Sequence, residues 1–208
     1  LGAENSGPKV GPVVISEVMY HPPDLPGGED NQLLEFVELH NVSGSAVLLG
    51  PDSTNVWRLR DAVDYHFPEG TSLPAGGYLL VVSFDPAWDV SAASLFRAAY
   101  GLAPTVPLYG PYTGKLDNSD DRVELTKPGT PDADTGEAPN ILVDKVRYHD
   151  HAPWPQAADG AGYSLHRINV AQFGNDPINW VAEPPTPGGV RVPGTPPTIV
   201  TQPVVQTV

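Results

Sequence analysis

The sequence predicts an all-β sandwich, and three observations carry the prediction. Short runs rich in β-branched and aromatic residues recur along the chain, separated by turn residues at intervals of roughly eight to twelve positions. Glycine and proline supply 21 and 25 of the 208 residues, 46 together and far above the roughly 12% of an average protein. An apolar fraction of 40% is nevertheless that of a chain with a core, so the composition describes many turns rather than disorder. Helical periodicity holds over one stretch only, about residues 91–100.

Residues 33–41 (Leu-Leu-Glu-Phe-Val-Glu-Leu-His-Asn) are the stretch around which the strands are arranged. Phe36, Val37 and Leu39 are β-formers interrupted by Glu35, Glu38 and His40, and Asn41 opens a turn with Ser43-Gly44-Ser45. Neither face is purely apolar, which predicts a central strand covered on both sides. Residues 13–20, with Glu17 among apolar neighbours, read as its partner. Residues 21–31 hold three prolines and cannot be helix or central strand, so they form a long loop.

Further strands are expected at 46–49, 56–60, 64–67 and 78–83, with a turn over 69–77. Over 91–100, Ala92, Leu95, Phe96 and Ala99 fall at i, i+3, i+4 and i+7, Ser91 can cap the start and Gly101 can end the helix. This helix is expected to pack over an end of the sheets. Residues 103–114 are loop, 122–126 and 141–148 are strands around an acidic loop 127–140, and 163–168 and 179–182 are the last strands of the domain. The chain divides into a lead-in at 1–11, a β-domain at 12–190, and a Pro-rich linker at 191–208 that ends like the first strand of a following domain.

Lys and Arg number 11 against 25 Asp and Glu, for a net charge of −14. That balance argues against nucleic acid or an anionic membrane surface as partner, since both need a basic patch. There is no cysteine, which excludes a disulfide framework and thiolate metal ligands. No apolar run approaches the roughly 18 residues of a membrane span. The chain reads as a piece of a longer protein.

Several segments, taken in order, resemble the lamin tail domain family. They are Ile15-Ser16-Glu17-Val18-Met19-Tyr20, Glu35-Phe36-Val37-Glu38-Leu39-His40-Asn41 and Trp57-Arg58-Leu59, then Tyr65-His66-Phe67-Pro68 and Leu73-Pro74-Ala75-Gly76-Gly77-Tyr78. Leu116-Asp117-Asn118, Arg122-Val123-Glu124-Leu125 and Val143-Asp144-Lys145-Val146-Arg147-Tyr148 follow. Trp154-Pro155, Gly160, Ser164-Leu165, Asn179-Trp180 and Pro187-Gly188 are similar to the ending of bacterial members. The resemblance implies an immunoglobulin-like sandwich, with residues 84–120 as an insertion carrying the helix. It also implies a non-catalytic binding or tethering module of a secreted or surface-attached bacterial protein.

Candidate sites divide between sharp and bland readings. Asp132, Asp134 and Glu137 alternate around Gly136 and can converge on calcium, but position twelve from Asp132 is Val143, so an EF-hand loop is incomplete. A solvated acidic turn is the alternative. Asp117-Asn118-Ser119-Asp120-Asp121 reads as a tight turn. His149 and His151 can share a face with zinc-like chemistry, but nothing in the sequence fixes a third ligand. Glu17 and Glu38 are either a buried carboxylate pair capable of acid–base chemistry or acceptors for neighbouring strands, Arg58 or Arg60. Gly162-Tyr-Ser164-Leu-His166 lacks the second glycine of a nucleophile elbow.

Trp57 and Trp180 sit in expected strands and belong to the core, whereas Trp88 and Trp154, flanked by proline in loops, are the ones open to the surface, where as an exposed ligand-binding strip they would stack on a sugar ring. The expected function is therefore interaction with a protein or a cell-surface partner, presented by loops 21–31, 103–118 and 127–140 and involving no cofactor. A carbohydrate-binding module, calcium-stabilised, is the alternative.

Overall fold

The computed structural model describes residues 10–136, 138–191 and 193. The expected lead-in up to residue 9, Glu137, and the expected linker and following strand beyond Arg191, apart from Pro193, lie outside the described residues.

Among the described residues thirteen strands and one α-helix follow one another as β1 (Val13–Met19), β2 (Phe36–Asn41), β3 (Val47–Leu48), β4 (Arg58–Asp61), β5 (Val63–His66), β6 (Ser72–Leu73), β7 (Tyr78–Val82), α1 (Val90–Tyr100), β8 (Leu108–Tyr109), β9 (Thr113–Gly114), β10 (Asp120–Pro128), β11 (Asn140–His149), β12 (Ser164–Arg167) and β13 (Trp180–Glu183). They form a six-stranded sheet in the order β13-β12-β1-β2-β7-β8, a five-stranded sheet in the order β11-β10-β4-β5-β9, and the small pair β3-β6. Pairing is antiparallel except between β7 and β8, which run parallel. This is the expected sandwich, and β2 lies inside it between β1 and β7.

Two-residue alternation divides the six-stranded sheet into two faces. Ile15, Val18, Val37, Leu39, Leu79, Val81 and Leu165 point inward and meet Leu59, Val63, Tyr65, Val123, Leu125 and Val146 of the opposite sheet. Met19, Phe36, Leu80 and Val82 point outward and are covered by Phe84, Ala92, Phe96 and Leu102. The helix thus lies across the outer face of this sheet rather than over an end. It does so because its apolar stripe needs an apolar surface, and half of that face supplies one.

The helix begins one residue earlier than expected, and its cap is Asp89, whose carboxylate accepts from Ala92 N–H, rather than Ser91. Gly101, at φ 59°, ends it in the left-handed conformation. β6, β8 and β9 lie inside segments whose composition reads as turn or loop. Each spans two residues, too few to show a period.

Inside the sandwich, Arg167 on β12 pairs with Asp144 on β11, and Asp144 Oδ2 also accepts from Ile15 N–H at 2.8 Å. Arg167 further donates to the Ile15 and Gln172 carbonyls at 3.2 and 2.6 Å. This buried clasp joins β1 and β12 of the six-stranded sheet to β11, the edge strand of the other.

Candidate functional site

The outer face of the six-stranded sheet that α1 leaves uncovered is polar. Glu17 stands opposite Glu38 across β1 and β2, opposite His166 across β1 and β12, and His40 stands opposite Tyr78. Side chains two apart on a strand share a face, so Glu38 with His40 and Ser164 with His166 are brought to one surface by alternation alone. A bulge between Ile15 and Glu17 turns the extra residue, Ser16, onto the same group, where its hydroxyl donates to Glu38 Oε1 at 2.6 Å.

Both carboxylates are 1% exposed. Glu17 Oε1 accepts from Ser164 Oγ at 2.6 Å and from Thr186 N–H at 3.2 Å, and Glu38 Oε2 accepts from Gly188 N–H at 2.6 Å. Burial raises Glu17 well above the usual carboxylate range, and the charge of Glu38 adds to the shift. Burial likewise carries Glu38 up to about 8, against the opposing hydrogen bonds from Ser16 and Gly188. The buried pair is the arrangement the sequence offered. Arg58 takes no part in it and pairs with Asp64 at 2.5 Å. His40 stacks on Tyr78 with ring centroids 4.1 Å apart, and burial lowers its pKa. A cleft of about 310 Å³ opens beside the pair, walled by His40, Tyr78 and His166 and rimmed by Gly189, Val190 and Arg191.

Ser164 and His166 touch, with Oγ 2.9 Å from Nε2, yet the contact is not that of a nucleophile and its base. The Pro184 carbonyl, 3.1 Å from the same nitrogen, can only accept, so Nε2 carries the hydrogen and cannot take one from the serine. The hydroxyl is instead directed into Glu17, and Ser164 is wholly buried. Another buried carboxylate, Glu35, accepts from Tyr112 Oη at 2.7 Å and Leu116 N–H at 3.3 Å, and burial raises it to about 7.

The remaining candidates are dispersed. Asp132 Oδ1 accepts from the N–H groups of Asp134 and Thr135 at 3.0 and 2.9 Å, which commits that oxygen to a turn. Asp134 is exposed beside it, and Glu137 lies outside the described residues. The rings of His149 and His151 are 5.0 Å apart, each leaning on its own aspartate, Asp120 at 3.9 Å and Asp150 at 2.7 Å. Among the described residues no three acidic or imidazole groups are placed to hold a metal ion.

The expected strip of surface tryptophans does not form. Trp88 is 88% exposed, but Trp154 is 5% exposed and packs against Trp180 at 6.3 Å, because the loop after β11 folds inward and buries Ala158 as well. Flanking prolines mark an irregular backbone, not an exposed ring. Trp57 and Trp180 are core, as expected.

Fold and site together define an immunoglobulin-like β-sandwich domain whose polar groups are mostly engaged with one another. The Lamin Tail Domain family profile matches residues 6–150, which is 145 of the 208 residues, and the chain belongs to that family. Glu17, Glu38, His40 and Tyr78 fall within the matched span, whereas Ser164, His166 and the segment over the pair follow it. No curated protein matches the chain. Among solved structures it is similar to a DUF4876 family protein from Bacteroides thetaiotaomicron VPI-5482, at 12% identity, with 86% of this chain and 70% of that chain covered and a TM-score of 0.48.

Proposed function

We propose that this domain is a non-catalytic interaction module of a larger secreted or surface-attached bacterial protein, and that Trp88 anchors a protein partner. The observation that carries this reading is the exposure of Trp88, 88%, on the insertion that also leaves Val90 and Leu95 exposed at 66% and 60%. A free-standing indole on a soluble domain is unfavourable surface unless something covers it, and tryptophan is the residue most enriched among interface anchors. The backbone that carries the ring is held in a turn. Asp85 Oδ1 accepts from the N–H groups of Ala87 and Trp88 at 2.9 and 3.2 Å, and Asp89 ties the same turn to α1. The committed hydrogen atom on His166 and the engaged oxygens of Glu38 support a structural rather than a chemical use of the polar face.

The test is affinity capture on immobilised domain, wild type against Trp88→Ala, from envelope extracts and from purified envelope polysaccharides. Truncating a central anchor costs about 2 kcal/mol or more, roughly 30-fold in affinity. A retained protein that Trp88→Ala loses supports the proposal. Retention of a polysaccharide, lost in the same variant, favours a carbohydrate-binding module, and repeating the assay with chelator and with millimolar calcium reads any part played by Asp132 and Asp134. Equal retention by both proteins removes Trp88 from the interface.

A further inference from the structure

Residues 184–191 cross the polar half of the outer face as a strap, and the strap rests on the carboxylate pair. Thr186 N–H reaches Glu17 at 3.2 Å and Gly188 N–H reaches Glu38 at 2.6 Å. Its ends are tied down. His166 Nε2 donates to the Pro184 carbonyl at 3.1 Å. Arg191 meets Glu183 at two points, a hydrogen bond from Nη2 at 2.8 Å and a close ionic contact of Nε at 2.7 Å. Gly188 has φ +82°, and a Cβ there would stand 2.6 and 2.9 Å from the Val106 methyls and 3.0 Å from Leu102 Cδ1. The strap therefore also closes against the loop that follows α1.

What the strap brings to two facing anions is backbone N–H and no countercharge. The ionisable groups around the pair are His40 on β2, Tyr78 on β7, His166 on β12, Glu183 on β13, Tyr100 on α1 and Arg191 on the strap itself. Arg191 is committed to Glu183, and Arg167 on β12 turns inward to Asp144. Burial disfavours the charged form of both imidazoles. While the pair keeps one proton it carries a single charge, and four donors, the Ser16 and Ser164 hydroxyls and the Thr186 and Gly188 amides, meet its oxygens. Once that proton leaves, two like charges face each other while each carboxylate is only 1% exposed, and lifting the strap brings both into full contact with water.

We propose that residues 184–191 form a pH-gated strap, docked on Glu17 and Glu38 while the pair retains a proton and released when both carboxylates ionise. Release opens the cleft beside His40 and Tyr78, whose rim the strap supplies. Glu38 ionises at about 8, and its charge holds the Glu17 proton beyond that point, so the transition lies above about pH 8.

The chain has no cysteine, so Val190→Cys, at a position 75% exposed, accepts a single nitroxide label. Its electron paramagnetic resonance spectrum is expected to show slow motion at pH 6 and a dominant fast component at pH 9, with near-ultraviolet circular dichroism unchanged. Adding Glu17→Gln removes one of the two charges and is expected to keep the slow spectrum at pH 9. Adding Gly188→Ala drives a methyl into Val106 and Leu102 and is expected to give the fast spectrum already at pH 6. An identical spectrum at both pH values overturns the proposal. So does release in Glu17→Gln at the same pH as in its parent, or mobility that appears only with loss of the near-ultraviolet signal.

Discussion

Single residues hold this sandwich at points where backbone would otherwise be stranded, and Asn41 is the clearest. It is wholly buried at the end of β2, and its Nδ2 donates to the carbonyls of Ser45, Leu73 and Pro74 at 2.8, 2.9 and 3.0 Å. Its Oδ1 accepts from Ser43 N–H and Oγ at 3.0 and 2.7 Å. Asn41→Ala takes the side-chain donor from the buried Leu73 carbonyl and the acceptor from Ser43 N–H, while the Pro74 and Ser45 carbonyls keep Gly77 N–H and Ser43 Oγ, and the expected cost is about 2 kcal/mol, read as a lower urea midpoint at unchanged slope. Asn41→Asp puts an acceptor against three carbonyls and is expected to cost at least as much. Arg167 tells a similar story. Arg167→Met strands the Asp144 carboxylate between the sheets, so a loss of roughly 3–5 kcal/mol is expected. A midpoint within 1 kcal/mol of wild type would show that water enters the clasp freely. The sequence carried part of this scale. Glu17 and Glu38 were readable as a buried pair because each interrupts an apolar run, and Ser164 and His166 could have joined them by the same alternation. Arg167 and Gly188 could not be read, since their partners lie 23 and 150 positions away.

Elements were legible where they were long and periodic. The strands around β2 and the helix stand where the spacing of their apolar residues puts them, whereas β6, β8 and β9 have no spacing to read. The position of α1 on the outer face is not legible in the sequence for a related reason. Its own stripe was visible, but the apolar half-face that receives it is split among Met19, Phe36, Leu80 and Val82 on three strands. Phe96 is the residue that joins them, wholly buried and packed edge-on to Phe36 at 6.0 Å and against Tyr100 at 4.9 Å. Phe96→Ala is expected to destabilise the domain by about 3–5 kcal/mol and to loosen α1 before the sandwich. Amide hydrogen exchange should show it, with 90–100 losing protection while β2 and β10 keep theirs. Asp89→Ala removes only the cap and is expected to cost about 1 kcal/mol, without that separation. Uniform loss of protection in Phe96→Ala would make the helix an integral part of the core and not a layer laid upon it.

For the molecule as a whole, buried carboxyls reverse the usual dependence of stability on pH. Glu35 holds its proton to about 7 and Glu38 to about 8 in the folded chain, against a usual value of 4.5. Between those values the folded state binds more protons than the unfolded state, so raising the pH favours unfolding. The stabilisation is complete below about pH 4.5 for these groups and is lost as the pH passes 7 and 8. A net charge of −14 adds self-repulsion in the same direction. For Glu35 alone the displacement corresponds to on the order of 3 kcal/mol, or a fall in Tm of roughly 5–10 °C for a chain of this size. The expected observation is a Tm higher at pH 5.5 than at pH 8.5. The two buried sites should contribute unequally. Glu35 is shut in by Tyr112 and the backbone at Leu116, with no cover that can lift, so its ionisation bears on the entire fold. Glu17 and Glu38 lie beneath the strap, and opening it caps what their charges can cost. Glu35→Gln is therefore expected to flatten the pH profile more than Glu17→Gln does. A flat wild-type profile, or one that rises toward pH 8.5, would mean that these carboxyls ionise within the fold, and the same result would remove the force that lifts the strap.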